Sequence, residues 1–200
     1  MGVSSHVDEK YMRLLGAIIA GGGSRRFGGD KAAALIGSQA LIDIVAAAVS
    51  AQVDKLIICG RRWPGLESIQ DRPAPDLGPL GGLNAALGYA QRNGFDAVVT
   101  AGCDVLPVID LRALAGPVAA VIQGQPLFGF WPVDLAERLD RHLATELDRS
   151  MRRWIAVSGA AQVISTARFH NLNTRDDLAA YCALLGAAAG PADLTAPQVN

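Results

Sequence analysis

The sequence has few residues that could form disulfides or bind zinc. Its 200 residues include only three cysteines and three histidines. The cysteines are Cys59, Cys103 and Cys182, and the histidines are His6, His142 and His170. Because no two cysteines form a Cys-x-x-Cys pair and the histidines do not cluster, neither a disulfide framework nor a zinc site is predicted. Scattered free cysteines are typical of a reducing compartment, and we expect a cytoplasmic location.

Charge and long apolar runs are also scarce. Charged residues are 18% of the chain and the formal net charge is −1, so no nucleic-acid partner is expected. The apolar runs are far too short to cross a bilayer, and the first residues lack the apolar core of a secretory signal. We therefore expect no membrane association. Hydrophobic residues still make up 50% of the chain, which is enough for a sizeable core.

Short apolar runs alternate with helix-like segments along most of the chain. The predicted strands are Leu14–Ala20, Lys55–Cys59, Asp96–Ala101, Val118–Gln123, Leu127–Trp131 and Gln162–Ser165. The predicted helices are Leu41–Gln52, Leu80–Arg92, Val133–Leu147 and Arg175–Leu185. This alternation predicts an α/β fold in three layers, with a mainly parallel sheet flanked by helices on both faces. We expect one domain over residues 14–188, a flexible segment at 1–13 and a loose tail at 189–200.

Glycines and polar residues follow the first three predicted strands. The first strand runs into a glycine-rich loop, the second into 60–62 (Gly-Arg-Arg), and the third into 102–104 (Gly-Cys-Asp). In a parallel sheet the carboxyl ends of the strands meet at one edge, which is where ligands bind. The sequence therefore predicts a ligand site built from these three loops.

The segment from Ala20 to Lys31, called the glycine loop below, predicts a polyphosphate site. Its glycines let backbone N–H groups approach phosphate oxygens, and Arg25, Arg26 and Lys31 add positive charge. The loop is not a Walker P-loop, because no Lys-Ser/Thr pair follows its last glycine. It also fails the dinucleotide pattern Gly-x-Gly-x-x-Gly, because that pattern needs glycine where Arg26 stands.

The segment from Ile19 to Lys31 resembles the nucleotidyltransferase signature of the molybdenum cofactor guanylyltransferases, the MobA family. That signature has the form apolar-Ala-Gly-Gly-x-Ser-x-Arg-x-Gly-x-Asp-Lys. Further segments resemble later family motifs in the same order, from about Leu15 to Tyr181: Asp71 with 78–83, then 102–104, 125–128 and 169–174. The resemblance implies a Rossmann-like domain of the nucleotide-diphospho-sugar transferase type. It also implies transfer of GMP from GTP to the phosphate of molybdopterin, with Mg²⁺ and release of pyrophosphate.

The resemblance also implies roles for particular residues. Lys31 and Arg26 would neutralise the triphosphate, and Asp104 would hold Mg²⁺. The implied nucleotide-binding residues are Ile19, Ala20, Gly21, Gly22, Gly29, Lys31, Asp71, Gly78, Gly81 and Asp104. Pro126, Asn171 and Asn173 would border the second substrate, molybdopterin. The resemblance is also compatible with transient protein partners. These would be the molybdoenzyme that receives the product, or a protein that delivers the cofactor.

The chain departs from the family pattern at three places. Pro107 stands three residues after Asp104 instead of two, Arg175 replaces a proline, and 59–61 (Cys-Gly-Arg) stands where the guanylyl enzymes tend to present an asparagine. Asp76 is a rival to Asp71 for contact with the base. These departures leave open a cytidylyltransferase, another small-molecule nucleotidyltransferase, or a non-catalytic nucleotide-binding scaffold.

Overall fold

The computed structural model describes residues 11–21, 27–75 and 77–188. The predicted segments 1–13 and 189–200 therefore lie wholly or mostly outside the described residues. Five α-helices are described: α1 (Leu41–Ser50), α2 (Pro79–Arg92), α3 (Ala136–Thr145), α4 (Met151–Ser158) and α5 (Arg175–Ala188). Short 3-10 turns lie at Lys31–Ala33, Arg112–Leu114 and Val133–Leu135. None of the described helices is long and apolar enough to cross a membrane.

The described strands form one large sheet and two small pairs. They are β1 (Leu14–Ile19), β2 (Leu35–Ile36), β3 (Gln39–Ala40), β4 (Lys55–Cys59), β5 (Glu67–Ile69), β6 (Ala97–Gly102), β7 (Val105–Leu106), β8 (Ala120–Ile122), β9 (Gln125–Pro132), β10 (Ala161–Val163) and β11 (His170–Asn171). The large sheet has seven strands in the order β10-β8-β9-β6-β1-β4-β5. Adjacent strands in this sheet are parallel, except that β9 is antiparallel to both β6 and β8. The predicted mainly parallel sheet is confirmed.

Helices cover both faces of the sheet, as the apolar runs predict. Along β1 every residue is buried, and alternate side chains enter different cores. One core contains Leu14 and Ile18 with the apolar face of α1, and the other contains Leu15 and Ile19 with α2, α3 and α4. The α/β three-layer fold class is therefore confirmed.

Two predicted helices are shorter than the sequence indicates. The first ends at Ser50 instead of Gln52. The third begins as a 3-10 turn, becomes α-helical at Ala136 and ends at Thr145, so that Leu147 is fully exposed. The sequence analysis also missed α4 and the edge strand β5. Helix α4 has clear end signals, because the Ser150 side chain accepts from the backbone N–H of Arg153 and Gly159 ends the helix with a φ of 77°.

Candidate active site

The carboxyl ends of β1, β4 and β6 lie level with one another. Ile19 is paired with Cys59 on one side and with Gly102 on the other. The glycine loop, the 60–62 segment and the 102–104 segment therefore leave the sheet side by side. We call this region the carboxyl edge, and it is the place where ligands bind in open α/β sheets.

Lys31, Asp104 and Asn173 meet at the carboxyl edge. The Lys31 Nζ atom donates to Asp104 Oδ2 at 2.6 Å and to Asn173 Oδ1 at 3.3 Å. These side chains are partly buried, with 14% of Lys31 and 22% of Asp104 exposed. The contact joins one residue from each of three predicted groups: the triphosphate loop, the metal carboxylate and the second-substrate motif.

Local structure explains how each of these side chains is held. Asp30 caps the 3-10 turn that carries Lys31, because its carboxylate accepts from the Ala32 backbone N–H at 3.1 Å. The segment after Asp104 forms β7, which pairs antiparallel with β11. The Leu172 N–H donates to the Asp104 carbonyl at 2.8 Å. The later proline, Pro107, therefore follows a short paired strand.

The start of α5 fixes Asn173 on the other side of the site. The Asp177 carboxylate accepts from the backbone N–H groups of Asn173 at 3.0 Å and Thr174 at 2.8 Å. The Thr174 hydroxyl in turn accepts from the Asp177 N–H at 3.1 Å. This is a capping box with aspartate in the place of glutamate. The hydrogen bond from Thr174 is the main cause of the lowered pKa of the Asp177 carboxyl, which stays ionised at neutral pH.

Asp104 places a partly exposed carboxylate at the carboxyl edge. A Cβ on Gly102 would lie 2.9 Å from Asp104 Oδ1, so a larger residue there would displace the Asp104 side chain from this position. Burial raises the pKa of the neighbouring Cys103 thiol to about 11, so the thiol stays protonated at neutral pH. Among the residues described, no cluster of three or more histidine, cysteine, aspartate or glutamate side chains could hold a metal ion. The arrangement fits a metal ion that takes most of its ligands from substrate phosphates and water.

Asp71 lies against the backbone where the glycine loop begins. A Cβ on Gly21 would lie 3.0 Å from Asp71 Oδ2, and one on Gly60 would lie 3.1 Å from Asp71 Oδ1. The two glycines also touch each other, since a Cβ on Gly60 would come within 2.6 Å of the Gly21 Cα atom. The Ala20 N–H donates to the Cys59 carbonyl at 3.1 Å, which continues the strand pairing into the loop.

The glycines around the start of α2 have different surroundings. Gly78 precedes the helix with a φ of 64°, and a Cβ there would meet nothing within 4 Å. A Cβ on Gly81 would lie 3.1 Å from the Asp71 Cβ atom, and one on Gly82 would press on Ile19 and Cys59. Packing of helix against sheet therefore accounts for Gly82, and contact with the Asp71 and Leu77 side chains accounts for Gly81. Gly78 leaves open space at the helix start.

The residues predicted for the second substrate lie around the same edge. Pro126 is half-buried in β9, and Asn171 is exposed in β11. Leu172 between the two asparagines is buried, which places Asn171 and Asn173 on the opposite side of the segment. The structure brings Asn173 to Lys31, whereas Asn171 is exposed.

Arg175 brings a further positive charge to the glycine loop. Its Nη2 atom lies 3.6 Å from the position of a Cβ on Gly29. The two residues line a groove of about 480 Å³ between the loop and α5, together with Phe27 and Leu178. The substitution of arginine for the expected proline therefore places a cation beside Gly29. Arg26, Gly22 and Asp76, which the sequence analysis also assigned to the site, lie outside the described residues.

Sequence reasoning missed a contact between Arg61 and Asp30. Arg61 Nη1 donates to Asp30 Oδ1 at 2.8 Å, and Nη2 donates to Asp30 Oδ2. The hydrogen bond from Arg61 is the main cause of the lowered pKa of the Asp30 carboxyl. The only available signal was an arginine at a strand end, which does not indicate its partner.

The fold and the carboxyl edge together define a class of protein. A glycine loop after the first strand, with a lysine and a carboxylate at the same edge, is the arrangement of an α/β nucleotidyltransferase. A family model for the MobA-like NTP transferase domain matches residues 16–164.

Comparison with individual proteins agrees with this match. The chain is 38% identical to a molybdenum cofactor guanylyltransferase from Cereibacter sphaeroides (strain ATCC 17029 / ATH 2.4.9), over 87% of this chain and 98% of that protein. It is 31% identical to a protein of the same name from Rhizobium leguminosarum bv. trifolii (strain WSM2304), over 83% of this chain and 90% of the relative. The crystal structure of molybdopterin-guanine dinucleotide biosynthesis protein A from Archaeoglobus fulgidus superposes with a TM-score of 0.69. It has 20% identity and covers 86% of this chain and 99% of its own.

The chain belongs to the MobA-like NTP transferase family. The resemblance on which the sequence analysis rested is therefore confirmed. Nucleotidyltransferases of this family generally use a divalent metal ion. The likeness to the solved structure, at 20% identity, supports the fold.

Proposed function

We propose that this protein transfers GMP from GTP to the phosphate of molybdopterin in the molybdenum cofactor, with release of pyrophosphate. The observation that carries the proposal is the contact of Lys31 with both Asp104 and Asn173, at 2.6 and 3.3 Å. It brings together one residue from each of the three motifs, as transfer between the two substrates at one phosphorus would require. The names of the relatives support the choice of GTP and molybdenum cofactor as substrates.

Lys31 is proposed to act on the triphosphate. Phosphoryl-group transfer depends mainly on positioning and on stabilising the charge that develops at the transferred group. An ammonium group held beside the carboxylate can exchange that partner for a phosphate oxygen when GTP enters. Arg26 is assigned the same charge-neutralising role from the sequence, together with backbone contacts from Ile19, Ala20, Gly21, Gly22 and Gly29.

Asp104 is proposed as the protein ligand of Mg²⁺. A single partly exposed carboxylate at the carboxyl edge suits an ion that keeps water and phosphate ligands. When bound, Mg²⁺ would supply positive charge to the phosphate oxygens. The attacking phosphate oxygen of molybdopterin is already anionic, so the site requires no general base.

The remaining roles are those that the family resemblance implies. Asp71 is proposed to bind the guanine or to order the loop around it, with Gly78 and Gly81 beside the base or ribose. Asn171, Asn173 and Pro126 are proposed to border the pterin.

Pyrophosphate release tests the proposal directly. The enzyme is incubated with molybdenum cofactor, Mg²⁺ and each of the four nucleoside triphosphates in turn, and GTP should give by far the fastest release. Faster release with CTP would make the protein a cytidylyltransferase. Binding of GTP without release from any nucleotide would favour the scaffold alternative.

The Asp104→Asn variant tests the metal role. It should lose Mg²⁺-dependent turnover and keep its circular dichroism spectrum. Asp134→Asn is the matched control, because Asp134 is exposed and far from the carboxyl edge. Its neighbour Val133 donates its N–H to the backbone carbonyl of Asp96, at the opposite edge of the sheet. Wild-type turnover by Asp104→Asn would remove Asp104 from the mechanism.

A further inference from the structure

The two ends of the glycine loop contact two adjacent residues, Gly60 and Arg61. At its start, the Gly21 backbone packs on Gly60, where a Cβ would come within 2.6 Å of the Gly21 Cα atom. At its end, Asp30 accepts two hydrogen bonds from Arg61, the next residue along. The end of β4 therefore holds the beginning and the end of the loop together.

Arg61 is itself held in place. Its guanidinium lies 5.5 Å from the centre of the Trp63 ring, and the Trp63 indole N–H donates to the Asp43 carboxylate on α1 at 2.6 Å. Only 25% of the Arg61 side chain is exposed. A two-point contact made by a partly buried arginine is more directional than an ordinary surface ion pair.

The contact reaches Lys31 through a short path. The Asp30 carboxylate that binds Arg61 also accepts from the Ala32 N–H at 3.1 Å, which caps the turn Lys31–Ala33. Lys31 leaves this turn toward Asp104. A change in the position of Asp30 therefore changes the position of the lysine.

We propose that Arg61 is a positioning residue for the triphosphate site. It holds Asp30, and through Asp30 the turn that carries Lys31, in the geometry that receives the nucleotide. The proposal rests on the proposed nucleotidyl transfer, and it assigns Arg61 no contact with the substrate. Arg61 thus has a defined task at the strand end where the family resemblance predicted an asparagine.

Hydrogen exchange tests the structural half of the proposal without any nucleotide. Exchange is followed by mass spectrometry in peptides that contain Ala32 and Ala34, whose N–H groups donate to Asp30 and to the Lys31 carbonyl. Arg61→Gln should speed exchange in these peptides by about tenfold or more, because local opening becomes easier. Arg62→Gln removes the same charge from an exposed neighbour and should match the wild type. Unchanged exchange in Arg61→Gln would overturn the proposal.

Steady-state kinetics tests the functional half with a double-mutant cycle. Asp30→Asn keeps a helix-capping side chain but removes the ion pair. If Arg61 acts through Asp30, Arg61→Gln and Asp30→Asn should each raise the KM for GTP by about tenfold, and the double variant should be no worse than either. Arg61→Lys should restore only part of the loss, because it cannot make the two-point contact.

The outcomes separate this proposal from the proposed function. A further rise in KM when Arg61→Gln is added to Asp30→Asn would show that Arg61 contacts the nucleotide, which overturns the positioning role. A wild-type enzyme that releases no pyrophosphate from GTP would refute the proposed function, while the exchange result would still decide whether Arg61 holds the turn.

Discussion

The contact between Gly60 and Gly21 predicts a large and specific effect of a single methyl group. Gly60 has a φ of 83°, and a Cβ there would lie 2.6 Å from the Gly21 Cα atom and 2.8 Å from its nitrogen. Left-handed backbone costs alanine about 1–2 kcal/mol, and overpacking against backbone that cannot rotate away adds about 1–3 kcal/mol. We therefore expect Gly60→Ala to lower the free energy of unfolding by about 2–5 kcal/mol.

Gly65→Ala is the matched control for this variant. Gly65 has a similar φ of 77°, but a Cβ there would meet nothing within 4 Å. It should show only the backbone cost of about 1–2 kcal/mol. Both variants also lose the same unfolded-state entropy on replacing glycine by alanine, so this effect cancels in the comparison.

The measurement is urea and thermal unfolding of the two variants and the wild type. For a chain of this size, 1 kcal/mol shifts Tm by about 2–4 °C, so Gly60→Ala should unfold about 2–12 °C below Gly65→Ala. Equal destabilisation of the two variants would refute the argument, because it would mean that Gly21 yields to the new methyl group at no cost.

Three further predictions follow from other contacts. Asn173→Ala should lower kcat by about tenfold, because Lys31 loses an acceptor and a hydrogen bond to a charged group contributes about 1.5–3 kcal/mol; single-turnover rates at saturating substrates measure this, and an unchanged rate would refute it. The lowered pKa of Asp177 means that its stabilisation of α5 is present above the ordinary aspartate value of 3.8 and is lost as the pH falls through the lowered value. Hydrogen exchange in α5 should therefore increase, relative to α2, between pH 5 and about pH 2 in the wild type but not in Asp177→Asn. Cys182 should react first with a thiol reagent at neutral pH, because it is half-buried while the other two cysteines are buried with raised pKa values; fast labelling of more than one thiol in the folded protein would contradict this.

Continuous apolar runs made the central strands predictable. In β1 both faces are buried, so nearly every residue is apolar and the strand stands out from its surroundings. The glycines that follow β1 were an equally clear signal, because many glycines interleaved with cations indicate a phosphate site more readily than a simple turn. The class of site could therefore be predicted from one short segment.

The direction of β9 could have been predicted but was not specified. Only Gln123 and Gly124 separate β8 from β9, and Gly124 has a φ of 79°. A two-residue connection with glycine in the left-handed region joins antiparallel strands. Helix α4 likewise had its signals in Ser150 and Gly159, but with only eight residues it is too short for a helical period of apolar residues to be clear.

The pairing of distant charges could not be predicted. Arg61 and Asp30 are separated by 31 positions, and no local pattern indicates which of the chain's charges an arginine will meet. The same holds for the contact of Lys31 with Asn173. Such pairs depend on how the strand ends are arranged in three dimensions. The spacing of apolar residues along the sequence does not predict that arrangement.

The hydrogen bond between Lys31 and Asn173 also constrains the order in which the site can be completed during synthesis. The two residues are separated by 142 positions. The Asp104 carbonyl likewise accepts its hydrogen bond from a late residue, the N–H of Leu172. Strands β1, β4 and β6 can leave the ribosome and pair long before either partner exists. A nascent chain can therefore hold Lys31 and Asp104 before Asn173 has been made. On the proposed function, a chain that stops before residue 170 should bind a nucleotide at most, because it lacks Asn173.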